Sequence, residues 1–132
     1  MNEMKLLSPE GLVRSPAFNH VAVVPPGATT VYVAGQNAVD GEGNLVGDGD
    51  IAAQTEKTMA NLRVALAAAG AKVGDLVSMT IVVEDGVDLT EAYPVAAATL
   101  AGAAPTVVVL RVAGLAVPGA LVEVSAIAAV SP

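Results

Sequence analysis

The fold is decided by residues 76–83, which read LVSMTIVV, and by the segments that flank them. Apolar and hydroxyl side chains alternate along this stretch. One side carries four apolar residues and the other carries two hydroxyls (Val77, Met79, Ile81 and Val83; Ser78 and Thr80). A period of two is typical of a β-strand with one face against a core. The stretch therefore predicts a central strand.

The segment before this strand predicts a helix over residues 51–69. Asp50 is a suitable N-cap and Gly70 a suitable stop. The apolar positions recur at helical spacing (Ile51, Thr55, Met59, Leu62, Leu66 and Ala69). Four polar or charged residues fall largely off that face (Gln54, Glu56, Lys57 and Arg63). The helix is thus expected to pack one face against the sheet.

The segment after the central strand predicts a second helix over 89–100, followed by strands over 106–112 and 121–129. Proline is tolerated only near a helix start, so Pro94 suggests that this helix begins later than Leu89. Toward the N-terminus, two apolar runs at 21–24 and 30–34 flank Pro25-Pro26-Gly27 and predict a hairpin. Residues up to Arg14 are expected to form a loop.

The predicted order is ββαβαββ, an α+β fold in a single domain over residues 1–132. Two strand–helix–strand crossovers imply parallel pairing with right-handed connections, and hairpins at both ends would add antiparallel neighbours. The simplest arrangement is one mixed sheet with both helices on one face. The other face would be bare unless a partner covers it.

Composition narrows the function classes. Hydrophobic residues make up 54% and charged residues 14%, so some apolar surface is expected to face another subunit. The net charge of −7 argues against nucleic acid and against anionic membrane surfaces as binding partners.

The uncharged stretch 92–110 is interrupted by Pro94 and Pro105, so a helix followed by a strand explains it better than a membrane span. No secretory signal is visible in residues 1–10, and a cytoplasmic location is expected.

Several kinds of site are not expected. There is no cysteine, and His20 is the single histidine, which argues against a zinc site and a serine triad. Four scattered glycines lie among acids and are interpreted as turn residues rather than a phosphate loop (Gly41, Gly43, Gly47 and Gly49). The neighbouring carboxylates do not have the spacing of an EF-hand (Asp40, Glu42, Asp48 and Asp50). No metal is expected.

Glu123 stands out because it lies within the apolar stretch LVEVSAI, residues 121–127. Alternation places it on the side of Leu121 and Ser125, opposite Val122 and Val124. One interpretation is a solvent-facing glutamate on a strand. The other is a carboxylate in a cleft between subunits, where it could perform acid/base chemistry.

An ordered set of motifs resembles the YjgF/RidA family. The set begins with Phe18 and the run YVAGQ at 32–36, then Asp40 and Gly43. It continues with DIAAQT at 50–55, Asn61-Leu62, AAAG at 67–70 and DLV at 75–77, and ends with VEVSAIA at 122–128. No one of these motifs is specific by itself, but they occur in the family's order over nearly the whole chain.

The resemblance implies a fold like that of the small trimeric chorismate mutases. It also implies a homotrimer whose sheets face one another in a central barrel, with a cleft at each subunit interface. In the deaminating branch each cleft hydrolyses 2-imino acids or their enamine tautomers to 2-oxo acids and ammonia. An arginine after Pro-Ala binds the substrate carboxylate, the glutamate of the last strand handles water, and no cofactor is needed.

Carried over residue by residue, the resemblance assigns Glu123 as catalytic and Gly35 as a backbone contact in the cleft. Phe18 lies where a tyrosine is usual, and Ala34 replaces a common serine. Tyr93 lies where the deaminases often carry asparagine. Val109 lies where a cysteine or a threonine is frequent. The main departure is Pro105-Thr106-Val107, which puts Val107 in place of the arginine. Arg111 shares the strand parity of Val107 but lies four residues, roughly 13 Å, further along.

The sequence leaves three candidate functions. The first is hydrolysis or tautomerisation of an imine, an enamine or a related small carbonyl compound that has no carboxylate to anchor. The second is a non-catalytic protein that binds or carries a small molecule in the same cleft. The third, ribonuclease activity attributed to some relatives, is disfavoured by the charge and the single histidine.

Overall fold

The computed structural model describes residues 3–132, which form a four-stranded sheet, a separate two-stranded sheet and two α-helices. In chain order the elements are β1 (Lys5–Leu7), β2 (Val21–Val23), β3 (Thr29–Gln36), α1 (Ile51–Ala68), β4 (Leu76–Glu84), α2 (Ala92–Leu100), β5 (Thr106–Val112) and β6 (Val122–Val130). A 3-10 turn at Val73–Asp75 leads into β4. The predicted helices and the strands of the larger sheet are confirmed, with ends that differ by a few residues at most.

The larger sheet has the strand order β3-β6-β4-β5. β4 and β5 pair in parallel, with Met79 opposite Val107, and α2 forms the crossover between them. β6 lies between β3 and β4 and is antiparallel to both. This is the expected α+β architecture with a mixed sheet.

Both predicted hairpins are wrong. β2 pairs with β1, in a segment expected to be loop, whereas β3 pairs with β6. β5 and β6 are separated by β4. The turn at Pro25 exists, because the amide of Ala28 donates to the Pro25 carbonyl, but it joins strands of two different sheets. Turn residues report where a chain reverses, and they do not determine which strand the next one will pair with.

Helix α1 begins and ends as its sequence predicts. The Asp50 side chain accepts a hydrogen bond from the amide of Ala53 at 3.1 Å, which caps the first turn. Gly70 follows the helix with φ +71°, a conformation that favours glycine. Gln54 departs from the expectation, because it is fully buried rather than off the packed face.

Gln54 is buried because three backbone groups satisfy its amide. Its Nε2 donates to the carbonyls of Gly47 and Gly119, and its Oε1 accepts from the amide of Leu121. A buried polar side chain is tolerated when its hydrogen bonds are made. Helical spacing alone cannot reveal such partners, since they come from loops distant in sequence.

The core lies between the helices and one face of the sheet. Met59, Leu62 and Leu66 of α1 form one buried apolar cluster with residues of β3, β4 and β6, among them Met79 and Val124. Val107 of β5 packs against this cluster. Both helices thus cover a single sheet face, as predicted. None of the helices in residues 3–132 combines the length and the apolar character required to cross a bilayer.

The opposite face of the sheet has no helix against it and is called the open face here. Paired positions place seven central residues on it (Tyr32, Thr80, Val82, Val108, Leu110, Ser125 and Ile127). Tyr32 is 78% exposed, and Val108 and Leu110 are about half exposed. The open face therefore leaves part of the chain's apolar surface uncovered, as expected.

Candidate functional site

An apolar cavity of about 550 Å³ lies between the helices and the sheet, which is within the size range of small-molecule sites. Its walls come from α1, α2, β4, β5, β6 and the loop at residues 15–18. None of the described residues that line it is charged. Desolvating a charged ligand group here would require a partner that these walls do not supply.

Four of the predicted site residues meet at this cavity: Phe18, Tyr93, Val107 and Val109. The two valines face it because β5 pairs with β4, which places Val107 beside Met79 and Val109 beside Ile81. Tyr93, in the first turn of α2, is 61% exposed and lies at the rim. Val109 is also exposed, so the cavity opens toward solvent near these two side chains.

Hydrogen bonds on both sides of Phe18 hold the loop that carries it. Asn19 donates from its amide to the Pro105 carbonyl and from its Nδ2 to the Ala104 carbonyl, at 3.1 and 2.7 Å. The Nε2 of His20 lies 2.6 Å from the carbonyl oxygen of Val13, and its ring packs edge-on against Phe18. This arrangement needs a proton on Nε2, and it gives the lone histidine a structural role.

The other three predicted residues, Glu123, Gly35 and Ala34, form a second group. Ala34 and Gly35 occupy an irregularity in the β3–β6 pairing, between the pairs Val33–Ala126 and Gln36–Val124. Such bulges change the direction of side chains. The carboxylate of Glu123 lies against Gly35 so closely that a Cβ there would be 2.7 Å from its Cδ and Oε2.

Two asparagines support this second group, and the sequence analysis gave them no role. Asn37 is buried, and its Nδ2 donates to the Val122 carbonyl at 3.2 Å and lies 3.5 Å from Oε1 of Glu123. Asn61 in turn donates to the carbonyls of Asn37 and Val39. Asn61 belongs to the motif Asn61-Leu62, so the sequence motif could have identified Asn61 as a supporting residue.

The two groups lie on opposite faces of the sheet. Val122 and Val124 of β6 line the cavity, whereas Glu123 pairs with Val82 on the open face. Within one chain, therefore, Glu123 is not among the residues that line the cavity. A cleft that uses all seven residues would need walls from two subunits.

Arg111 does not line the cavity. It shares the helix-side face with Val107, as expected, because it pairs with Val83. Its Nη1 donates to the carbonyl of Val87 at 2.9 Å, in the loop between β4 and α2. The guanidinium thus binds the backbone of this loop.

The acidic turns before α1 have local structural roles. The Asp40 carboxylate accepts hydrogen bonds from the backbone amides of Asn44 and Glu42, which hold its pKa below the usual value. Asp50 caps α1. Within residues 3–132 no three His, Asp or Glu side chains are placed to hold a metal ion.

Two threonines of α1 also line the cavity. Thr55 was expected on the packed face, whereas the pattern gave no role to Thr58. Both are buried, and the Oγ1 atoms of both find no hydrogen-bond partner within the described chain. Thr55 and Thr58 follow Ile51 by four and seven residues, so they share its helix face. This spacing was the sequence signal that could have placed Thr58 at the cavity.

Comparison with known proteins assigns the family. The sequence model of the family described as Endoribonuclease L-PSP matches residues 13–130. A RutC family protein of Pyrococcus abyssi is 32% identical over 98 residues, which cover 74% of this chain and 76% of that protein.

Solved structures agree with this result. A Rid family protein of unknown function from Yersinia pestis superposes with a TM-score of 0.84 and is 31% identical, covering 97% of this chain and 98% of that one. A member of the YjgF family from Mycobacterium tuberculosis has a TM-score of 0.63 and 29% identity, over 97% and 100% of the two chains. The motif order, the fold and these matches agree, and the chain belongs to the YjgF/RidA family.

Proposed function

We propose that this protein forms a homotrimer whose inter-subunit clefts act on a neutral imine, enamine or related small carbonyl compound. The reaction is hydrolysis or tautomerisation, and no cofactor takes part. The observation that supports this most directly is the uncharged cavity, which Val107 lines. The family resemblance assigns Val107 to the position at which deaminating relatives carry an arginine. Such walls favour a ligand without a carboxylate.

The second part of the site would come from a neighbouring subunit. Its Glu123, held against Gly35 on the open face, would approach the rim formed by Tyr93 and Val109. In imine hydrolysis a carboxylate takes a proton from water as the water adds to the C=N carbon, and returns it to the nitrogen. The hydroxyl proton of the resulting carbinolamine then passes to the nitrogen through the same carboxylate as the C–N bond breaks, which gives a carbonyl compound and an amine or ammonia.

A second candidate is non-catalytic binding or transport of a small molecule. The walls of the cavity in one protomer favour it, because Tyr93 is the single titratable group among the described lining residues. A protein of this kind would bind its ligand and leave it unchanged. Turnover in the assembled protein separates the two candidates.

Ribonuclease activity, which the family's description suggests, is not part of the proposal. The net charge of −7 opposes phosphate binding. The lone histidine is engaged with the Val13 carbonyl and with Phe18. A salt-sensitive, submicromolar complex with RNA would contradict this exclusion.

The role of Glu123 is tested by Glu123→Gln, after native mass spectrometry of the assembled protein against a compound library has identified a ligand. The substitution keeps the volume and removes the carboxylate, so we expect the same assembly, retained ligand binding and loss of turnover by at least about 100-fold. Glu91→Gln, on an exposed residue before α2, is the matched control. Turnover at the wild-type rate in Glu123→Gln would leave Glu123 with a structural role alone.

The absence of a carboxylate anchor gives a second expectation. We expect negligible hydrolysis of 2-imino acids, because a carboxylate that loses its water in this cavity gains no charged donor. The deficit relative to an arginine-bearing deaminase should be roughly 2–5 kcal/mol, or about 30- to 4,000-fold in affinity. The assay is 2-oxo acid release from an imine generated by an amino-acid oxidase, with a known deaminase as control. A rate equal to that control would contradict the assignment of Val107.

A further inference from the structure

Two threonines that line the cavity carry buried hydroxyl groups whose hydrogen bonds are not made. Thr55 and Thr58 lie three residues apart on α1 and line the cavity together. Thr58 is 0% exposed and Thr55 is 5% exposed. Within residues 3–132 neither Oγ1 has a hydrogen-bond partner. Buried hydroxyls are normally paired, so an unpaired couple at one cavity wall requires an explanation.

The surroundings of these hydroxyls restrict what could pair with them. Ile51 and Met59 flank them on α1, and Ile81 and Val124 contribute to the apolar lining from the sheet. The described lining residues carry no charge. A partner must therefore be neutral, and the rest of the ligand must be apolar enough to fill the space beside it.

We infer that Thr55 and Thr58 bind a neutral oxygen, a carbonyl or a hydroxyl, on a ligand whose hydrocarbon body fills the cavity. A threonine hydroxyl both donates and accepts, so it can serve either group. The inference deepens the proposed function, since it names the class of ligand that the cavity binds. It rests on the proposed function in one respect, namely that the ligand enters at the rim near a neighbouring subunit. It does not depend on Glu123 being catalytic.

The geometry also gives the ligand an orientation. Tyr93 and Val109 are exposed at the rim, whereas Thr55 and Thr58 belong to the buried face of α1. The ligand oxygen at the threonines thus lies at the closed end, and the group presented to a neighbouring subunit lies at the open end. Ligands that carry a polar group at each end of an apolar body fit this arrangement.

The test measures binding and requires no turnover. Dissociation constants are determined by NMR on protein with labelled methyl groups for four probes of one chain length: hexan-2-one, hexan-1-ol, hexane and hexanoate. We expect the ketone and the alcohol to bind in the cavity, hexane to bind more weakly, and hexanoate not to bind. Because one hydrogen bond contributes modestly, Thr58→Val and Thr55→Val should each weaken ketone binding about 3- to 10-fold. Neither should weaken hexane binding.

The control is Thr99→Val, on a threonine of α2 that is not among the described lining residues. Threonine and valine have nearly the same shape, and an unpaired hydroxyl is lost, so the variants of α1 should be at least as stable as wild type. Three results would overturn the inference. They are no binding of any probe, equal ketone affinity in wild type and both variants, or hexanoate binding as tight as that of the ketone.

The same probes separate this inference from the proposed function. Glu123→Gln should bind hexan-2-one with wild-type affinity and the same dependence on Thr58. If that dependence holds while Glu123→Gln keeps its turnover, the ligand class stands and the catalytic proposal fails. If turnover depends on Glu123 while the threonine variants bind every probe like wild type, the inference fails alone.

Discussion

At Gly35 the backbone leaves space for a carboxylate. The absence of a side chain allows Glu123 to lie within 2.7 Å of the position that a Cβ would occupy. Gly35 does not have a positive φ, so close approach is the reason for glycine here, and backbone conformation is not. This contact fixes where the carboxylate of the open face lies.

We therefore expect Gly35→Ala to displace the Glu123 carboxylate without unfolding the protein. The added methyl group collides with the flexible end of a side chain, and the unfolding free energy should stay within about 1 kcal/mol of wild type. A displacement of about 1 Å at a reacting group costs up to about 100-fold in rate, so turnover of a confirmed substrate should fall by about 10- to 100-fold. Steady-state kinetics and urea denaturation measure the two quantities.

Gly41→Ala is the matched control for that substitution. Gly41 also lacks a positive φ, and a Cβ there would meet nothing within 4 Å. Kinetics indistinguishable from wild type in both glycine variants would show that the position of Glu123 does not matter for the reaction.

At the scale of elements, local patterns determined the helices and strands but not their pairing. Capping by Asp50 and alternation along β4 from Ser78 onward are encoded within a few residues, and both predictions were correct. The predicted core position of Val77 was wrong, because a register shift between Leu76 and Ser78 puts Leu76 in the core instead. The pairing of β3 with β6 and of β1 with β2 joins segments far apart in the chain. Apolar alternation is the same for every candidate partner, so the sequence of one strand does not identify its neighbour.

Gln54 joins three segments that the sequence alone does not connect. Its amide reaches Gly47 before α1, and Gly119 and Leu121 before β6. We expect Gln54→Ala to lower the free energy of unfolding by about 2–4 kcal/mol, since it leaves buried backbone groups unpaired and opens a cavity. The denaturation midpoint in urea measures the loss. Gln36→Ala is the control, because the Gln36 amide bonds to Ala34 of its own strand at the surface.

At the scale of the whole molecule, the site residues separate into two groups. The cavity with Phe18, Tyr93, Val107 and Val109 lies on the helix side, whereas Glu123 lies on the open face. Strand parity in the sequence already separates Glu123 from Val122 and Val124, so this division was predictable. The size of the cavity and the unpaired threonines were not, because they depend on how the helices pack on the sheet.

The open face gives a direct test of the homotrimer. Val108 and Leu110 on β5 and Tyr32 on β3 expose apolar surface there, at positions that other subunits would cover. Light scattering at micromolar concentration should give the trimer mass for wild type. Leu110→Glu should lower that mass toward the monomer, because each interface would then have to bury an unpaired carboxylate.

Val64→Glu separates this effect from a general effect of charge. Val64 is 72% exposed on α1, and the substitution adds the same negative charge on the helix side of the molecule. It should leave the trimer intact. A wild-type monomer would remove the inter-subunit clefts altogether, and Glu123 would then have no route to the cavity. Dissociation by Val64→Glu but not by Leu110→Glu would instead place the interface on the helix layer.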